Sequence, residues 1–135
     1  VNASPDWLAE VTWNERGLLP AIAQDYRSGR VLMMAWMNSE SLQQSVSGGY
    51  AVYWSRSRQA LWKKGETSGN RQRIISVSLD CDGDTLLLQI EQEGGIACHT
   101  GRESCFFRQL DADNQWQSTE PVLRLPEDLY GVSDG

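Results

Sequence analysis

The sequence predicts an α+β fold, a β-rich single domain with one clear helix. Three observations predict it. The 135 residues are 40% hydrophobic and 22% charged, enough apolar material for one core without disulfides. The apolar residues fall in short runs separated by glycine-containing turns, the punctuation expected between strands. Only one stretch, residues 38–49, combines an N-cap residue, apolar residues four apart and a glycine stop.

In chain order, Leu18 to Asp25 is expected as a strand, Ser28-Gly29 as a turn and Val31 to Met37 as a second, strongly apolar strand, together a hairpin. Asn38 caps a short helix with Glu40 in its first turn. Leu42 and Val46 form its apolar face, and Gly48-Gly49 ends it. Tyr50 to Ser55 resumes as a strand, and residues 56–73 read as a polar, basic loop. Ile74 to Asp80 and Thr85 to Glu91 pair across a turn at Asp82-Gly83. Gly94-Gly95 turns the chain into Ile96-Ala97-Cys98, and Phe106-Phe107 is expected in the core. The domain is expected to fill 1–135, with its core over about 17–110 and a polar tail, 111–135, on the surface. Most of the six tryptophans are expected to be core or pocket walls.

Twelve Lys and Arg against 18 Asp and Glu leave a net charge of -6, which argues against nucleic acid as a main partner. An anionic substrate would need a local cationic pocket or a metal. No apolar run approaches the roughly 20 residues that span a bilayer, so no membrane partner is expected. Residues 1–6 carry no charged-then-apolar leader pattern, and the cytosol, where thiols stay reduced, is the expected compartment.

The most informative segment runs from Asp80 to Cys105. It holds all three cysteines, Cys81, Cys98 and Cys105, the only histidine, His99, and the alternating carboxylates Asp80, Asp82 and Asp84. An odd number of cysteines suits a metal better than a disulfide framework. Thiolates prefer zinc, and three of them leave a tetrahedral ion one position open for water. Carboxylates prefer harder cations, and a magnesium ion bridging to substrate phosphate suits the three aspartates. The same aspartates match the first ligand positions of a calcium loop, but Thr85 stands where that loop needs glycine. In an extended chain their period-2 spacing places them on one face, with Cys81 on the other. His99, beside a candidate ligand, is the expected general acid–base. Spacing leaves open whether one chain supplies all three sulfurs or two chains share them.

Arg56, Arg58, Lys63, Lys64, Arg71 and Arg73 supply half of the twelve cations within 18 residues. Mixed with glycines, hydroxyls and indoles, they suggest a phosphate site, with Arg56 and Lys64 first. Arg71 and Arg73 also read as outward-facing strand residues.

At these residues the chain resembles the phosphoribosyl-AMP cyclohydrolases of histidine biosynthesis, in their single-function form. The matching blocks are 31–38, 53–58, Trp62 with Lys64-Gly65-Glu66 and Ser68-Gly69, 79–84, 94–101 and Ser104-Cys105-Phe106. The resemblance implies zinc-dependent hydrolytic opening of the adenine ring of 1-(5-phosphoribosyl)-AMP between N1 and C6. It implies Zn2+ on Cys81, Cys98 and Cys105, Mg2+ on Asp80, Asp82 and Asp84, and an intertwined homodimer that shares the zinc ligands. Substrate contacts are expected from Arg56 and Lys64, with Trp54, Ser55, Glu66, Ser68 and Gly69 from the same blocks. Asn70 stands where the family often has histidine, so that position carries no proton here. The competing class is a non-enzymatic metal-stabilised binding module. A zinc deaminase would need His-x-Glu and Pro-Cys-x-x-Cys, and neither is present.

Overall fold

The computed structural model describes residues 6–130. The expectations for the leader and for the last five residues of the tail fall outside them. Strands β1 (Leu19–Asp25) and β2 (Val31–Met37) form the expected hairpin, with Ala21 opposite Ala35. Helix α1 (Ser39–Gly48) follows at once. Asn38 Oδ1 accepts the Ser41 N–H at 2.8 Å, and Ser41 Oγ accepts the Asn38 N–H at 2.9 Å. This reciprocal cap satisfies two amide donors and starts the helix. Gly49, at φ 81°, ends it in the left-handed region that glycine enters freely. Leu42 is buried as expected, but Val46 is exposed. Ser41 and Ser45 complete the inward face, and Ser45 Oγ bonds the Val52 backbone.

β3 (Val52–Ser55) is followed by β4 (Ala60–Lys63), so the expected loop over 56–73 contains a strand. Its four residues are too few to show a hydrophobic period. β5 (Gln72–Leu79) and β6 (Leu86–Gln92) close a six-stranded sheet in the order β4-β3-β2-β1-β6-β5. Every pairing is antiparallel except β1 with β6, where Ala21 lies opposite Leu86. The result is a single β-rich domain with one main helix and a mixed sheet. The core gathers Leu19, Ala21 and Ala23 of β1, Leu32, Met33, Ala35 and Met37 of β2, Leu42, Tyr53, and Leu86, Leu88 and Ile90 of β6.

The tryptophans follow the expectation for the most part: Trp13 and Trp62 pack against the core, and Trp7, Trp54 and Trp62 line cavities, whereas Trp116 is exposed. One expectation is corrected. Phe106 is exposed because Ser104 takes the inward position. Ser104 is fully buried, its hydroxyl donates to the Val31 carbonyl at 2.9 Å, and it accepts the Phe106 N–H at 3.0 Å. The tail also has structure of its own. β7 (Arg108–Leu110) pairs with β8 (Trp116–Ser118), and a short helix, α2, covers Pro126–Tyr130. No helix among the described residues is long and apolar enough to cross a membrane.

Candidate active site

The segment from Cys98 to Cys105 is a tight loop closed on itself. Ala97 N–H donates to the Glu103 carbonyl, Cys98 N–H to Arg102 and Gly101 N–H back to Cys98, all within 3.1 Å. Ser104 and the Cys105 N–H, which donates to the Leu32 carbonyl at 2.7 Å, pin its end to β2. Cys98 is buried, and its sulfur accepts the Thr100 hydroxyl at 3.0 Å. Cys105 is exposed as a residue, yet its thiol is crowded. Burial, then the neighbouring Cys98 charge and hydrogen bond, push it up to about 12, and Lys64 opposes the shift. His99 lies between them in sequence and is exposed, opposite in burial to Cys98.

Cys98 and Cys105 therefore offer two adjacent soft donors, a chemistry that suits zinc. Cys81 does not join them within one chain. Among the described residues, the aspartates are the only group of three metal-type donors within 4.8 Å of one another. The sheet order explains why. Cys81 follows the last β5–β6 pair, Leu79 with Leu86, while Cys105 is bonded to β2. Three strand positions separate β2 from β5, about 14 Å at ~4.8 Å per strand.

Asp80, Asp82 and Asp84 do converge, but not as an extended face. Residues 81–83 form a turn, in which Asp80 Oδ1 accepts the Asp84 N–H at 3.0 Å and the Asp80 carbonyl accepts the Gly83 N–H at 3.0 Å. The Asp84 amide holds the Asp80 carboxyl below its ordinary range, and the shared contact with Asp80 pushes Asp84 up. Three exposed carboxylates this close repel one another, and a hard divalent cation would relieve that repulsion.

The expected substrate residues separate into two groups. Lys64, Glu66 and Ser68 line a cavity of about 330 Å3 with Arg58 and Trp62. The Gly65 to Gly69 turn shapes it, with Gly69 N–H on the Gly65 carbonyl at 2.8 Å. At Gly65, φ is +84° and a Cβ would stand 2.4 Å from the Arg71 nitrogen, so only glycine is accommodated. Trp54 and Arg56 instead line a cavity of about 270 Å3 with Arg16 and Asn38, and the Arg56 guanidinium lies 4.7 Å from the Trp36 ring centroid. Ser55 caps the following turn by accepting the Arg58 N–H at 3.3 Å. A surface cavity of about 580 Å3 beside Trp7 and α1 contains none of the expected site residues. Asn70 is buried with its carbonyl bonded to Gln92, in a structural position. Arg71 and Arg73 face outward and pair with Glu93 and Glu91 at 3.1 Å.

Lys64 differs most from its sequence context. It is 7% exposed, and its ammonium donates to the Ala97 carbonyl at 2.5 Å. Desolvation lowers its affinity for the proton, while Cys105 and Cys98 oppose that shift. Nothing in a hydrophilic stretch of lysines, glycine and threonine signals burial.

A sequence model of phosphoribosyl-AMP cyclohydrolase matches residues 33–107, a span that includes both cysteine segments and the aspartates. A phosphoribosyl-AMP cyclohydrolase from Thioalkalivibrio sulfidiphilus is 61% identical over 128 residues, covering 95% of this chain and 97% of that protein. The chain belongs to the phosphoribosyl-AMP cyclohydrolase family. Relatives of the same name from Nitrosococcus oceani and Marinobacter nauticus are each 59% identical, over 95% and 94% of this chain and 96% and 91% of their own.

Proposed function

We propose that the chain hydrolyses 1-(5-phosphoribosyl)-AMP, opening its adenine ring as the third step of histidine biosynthesis. The observation that carries this reading is the adjacency of the Cys98 and Cys105 thiols beside the exposed His99, in a chain of this family. Zinc, when bound by Cys98, Cys105 and a third sulfur, supplies Lewis-acid activation of a water molecule. The water adds to C6, which is electron-poor because N1 carries the ribosyl group. His99 accepts the proton that the water releases and delivers it toward N1 as the C6–N1 bond breaks. The product is an imidazole carboxamide with a formimino-type side chain. Arg56, Lys64, Trp54, Ser55, Glu66, Ser68 and Gly69 are the proposed substrate contacts. Mg2+ on Asp80, Asp82 and Asp84 would help hold a phosphate. Binding energy from the phosphates, remote from C6, then orients the reacting ring.

The third sulfur is proposed to be Cys81 from a second copy of the chain, in an intertwined homodimer. Edge strand β5 supports this. Ile75, Val77 and Leu79 are exposed on one face, and Ser76 and Ser78 on the other, so the strand lacks cover on both sides. Such an edge is a ready partner for another copy, and Cys81 lies just beyond it. The ligand set needs reduced thiols, which suits the cytosol.

The test supplies 1-(5-phosphoribosyl)-AMP to the purified protein with and without zinc chelation and follows product absorbance. Turnover that stops on chelation and returns with zinc supports the reading. A zinc-replete protein that leaves the substrate unchanged overturns it. Substituting Val77→Lys should yield a monomer in sedimentation and lose zinc. A monomer that keeps full zinc occupancy would rule out the shared site.

A further inference from the structure

Lys64 is a buried cation whose counter-charge is not a carboxylate. Among the described residues it takes part in no ion pair. Its ammonium spends one of three N–H donors on the Ala97 carbonyl, 2.5 Å away and one residue before Cys98. The Trp62 ring centroid lies 5.1 Å from Nζ on another side. A buried charge is unfavourable unless something of opposite sign accompanies it. Through Ala97 the ammonium is held against the Cys98–Cys105 loop, and the Cys105 and Cys98 thiols, when ionised, oppose the loss of its proton. The backbone fixes the arrangement. Lys64 N–H donates to the Ala51 carbonyl at 3.2 Å, and the Gly65 turn behind it has no room for a side chain.

We propose that Lys64 is a positioning residue of the metal loop, holding the Ala97 backbone while its ammonium neutralises the Cys98 and Cys105 thiolates that grip zinc. This role goes beyond the phosphate contact that its surroundings in the sequence suggest, and it rests on the zinc reading above. A trio of thiolates on a divalent ion carries a net charge of minus one. A fixed cation beside two of them favours the deprotonated, metal-bound loop over the empty one. Groups outside the ligand set that steady the ligands commonly change metal affinity by about 10- to 100-fold.

The experiment compares wild type, Lys64→Met and Lys64→Gln. Zinc affinity is measured by competition with a chelating dye, and the sulfur-to-cobalt absorption of the Co(II)-loaded proteins is recorded. Lys64→Met should bind zinc roughly 10- to 100-fold more weakly and shift the cobalt band. Lys64→Gln keeps a donor for Ala97 but no charge, so it should lose affinity nearly as much. Melting of the metal-free Lys64→Met chain at or above the wild-type temperature would show that the loss is not unfolding. Variants that bind zinc as tightly as wild type, with only KM raised, would leave Lys64 a substrate contact alone and overturn the inference. Retained affinity in Lys64→Gln alone would reduce it to a backbone tether and also overturn it. Wild-type protein that takes up neither zinc nor cobalt would overturn the zinc reading as well.

Discussion

Arg30 Nη2 lies 2.7 Å from Glu120 Oε1, joining the β1–β2 turn to the chain beyond β8. The same guanidinium pairs through Nη1 with Glu103, inside the Cys98–Cys105 loop. Glu120 also presents its carbonyl to Arg102 Nε at 3.1 Å, and the Arg102 guanidinium lies 4.0 Å from the Phe107 ring centroid. The C-terminal segment is thus a strap across the Cys98–Cys105 loop. These ion pairs are partly exposed, so each is worth about 1 kcal/mol or less. Arg30→Ala should lower the melting temperature by a few degrees. It should also speed amide exchange within 98–105 more than in β1. Exchange that quickens evenly along the chain would deny the strap a local role.

Gly101 is where strap and loop meet most closely. Its carbonyl accepts the Leu123 N–H at 2.8 Å, its φ is +88°, and a Cβ there would come within 1.8 Å of the Arg124 carbonyl oxygen. Gly101→Ala should destabilise the fold by more than about 1 kcal/mol. Gly48→Ala, in helix α1 with open space around it, should be neutral or stabilising. Denaturant titration of the two variants checks the contrast, and equal effects would contradict it.

Cys98→Ala and His99→Ala should separate metal from proton transfer. The first should lose zinc and turnover together. The second should retain zinc and lose about 10²- to 10⁴-fold in rate, the usual contribution of a positioned acid–base group. Elemental analysis alongside single-turnover rates decides it, and a His99→Ala enzyme of normal rate removes that residue from the mechanism.

Asp25 gives the acid limb of stability a definite sign. The Ser28 N–H, 2.7 Å from Asp25 Oδ2, holds this carboxyl below its ordinary range. A carboxyl lowered in the folded state contributes stability above its unfolded value, about 3.9, and loses it as pH falls through the folded value. Wild type should therefore exceed Asp25→Ala in stability at neutral pH, and the gap should close as the pH falls through the lowered folded value. Thermal melts across pH 2–7 test this, and a gap that widens in acid would reverse the sign.

Much of the scaffold was legible in the chain because its signals are local. The Val31–Met37 strand, the Asn38 cap and the Gly49 stop need only their neighbours to act. The cysteines, the histidine and the aspartates stood out by residue type, since few side chains can hold a metal or carry a proton at neutral pH. Strand β4 escaped because four mixed residues show no period. Phe106 was misplaced because hydrophobicity ranks it above Ser104, although the Ser104 hydroxyl matches the bare carbonyls of Val31 and Leu32 and the phenyl ring does not.

By itself, the sequence determined the β-rich class, the donor chemistry and the family to which the chain belongs. Tertiary structure alone decided that Cys98 and Cys105 adjoin while Cys81 lies across the sheet, that Lys64 is buried beside the two sulfurs, and that Arg30 binds the tail to the loop. The reason is physical. Residue identity and short-range spacing set which atoms can donate, accept or ligate. Which of them meet depends on the order in which the strands pair, and no neighbouring residue encodes that order.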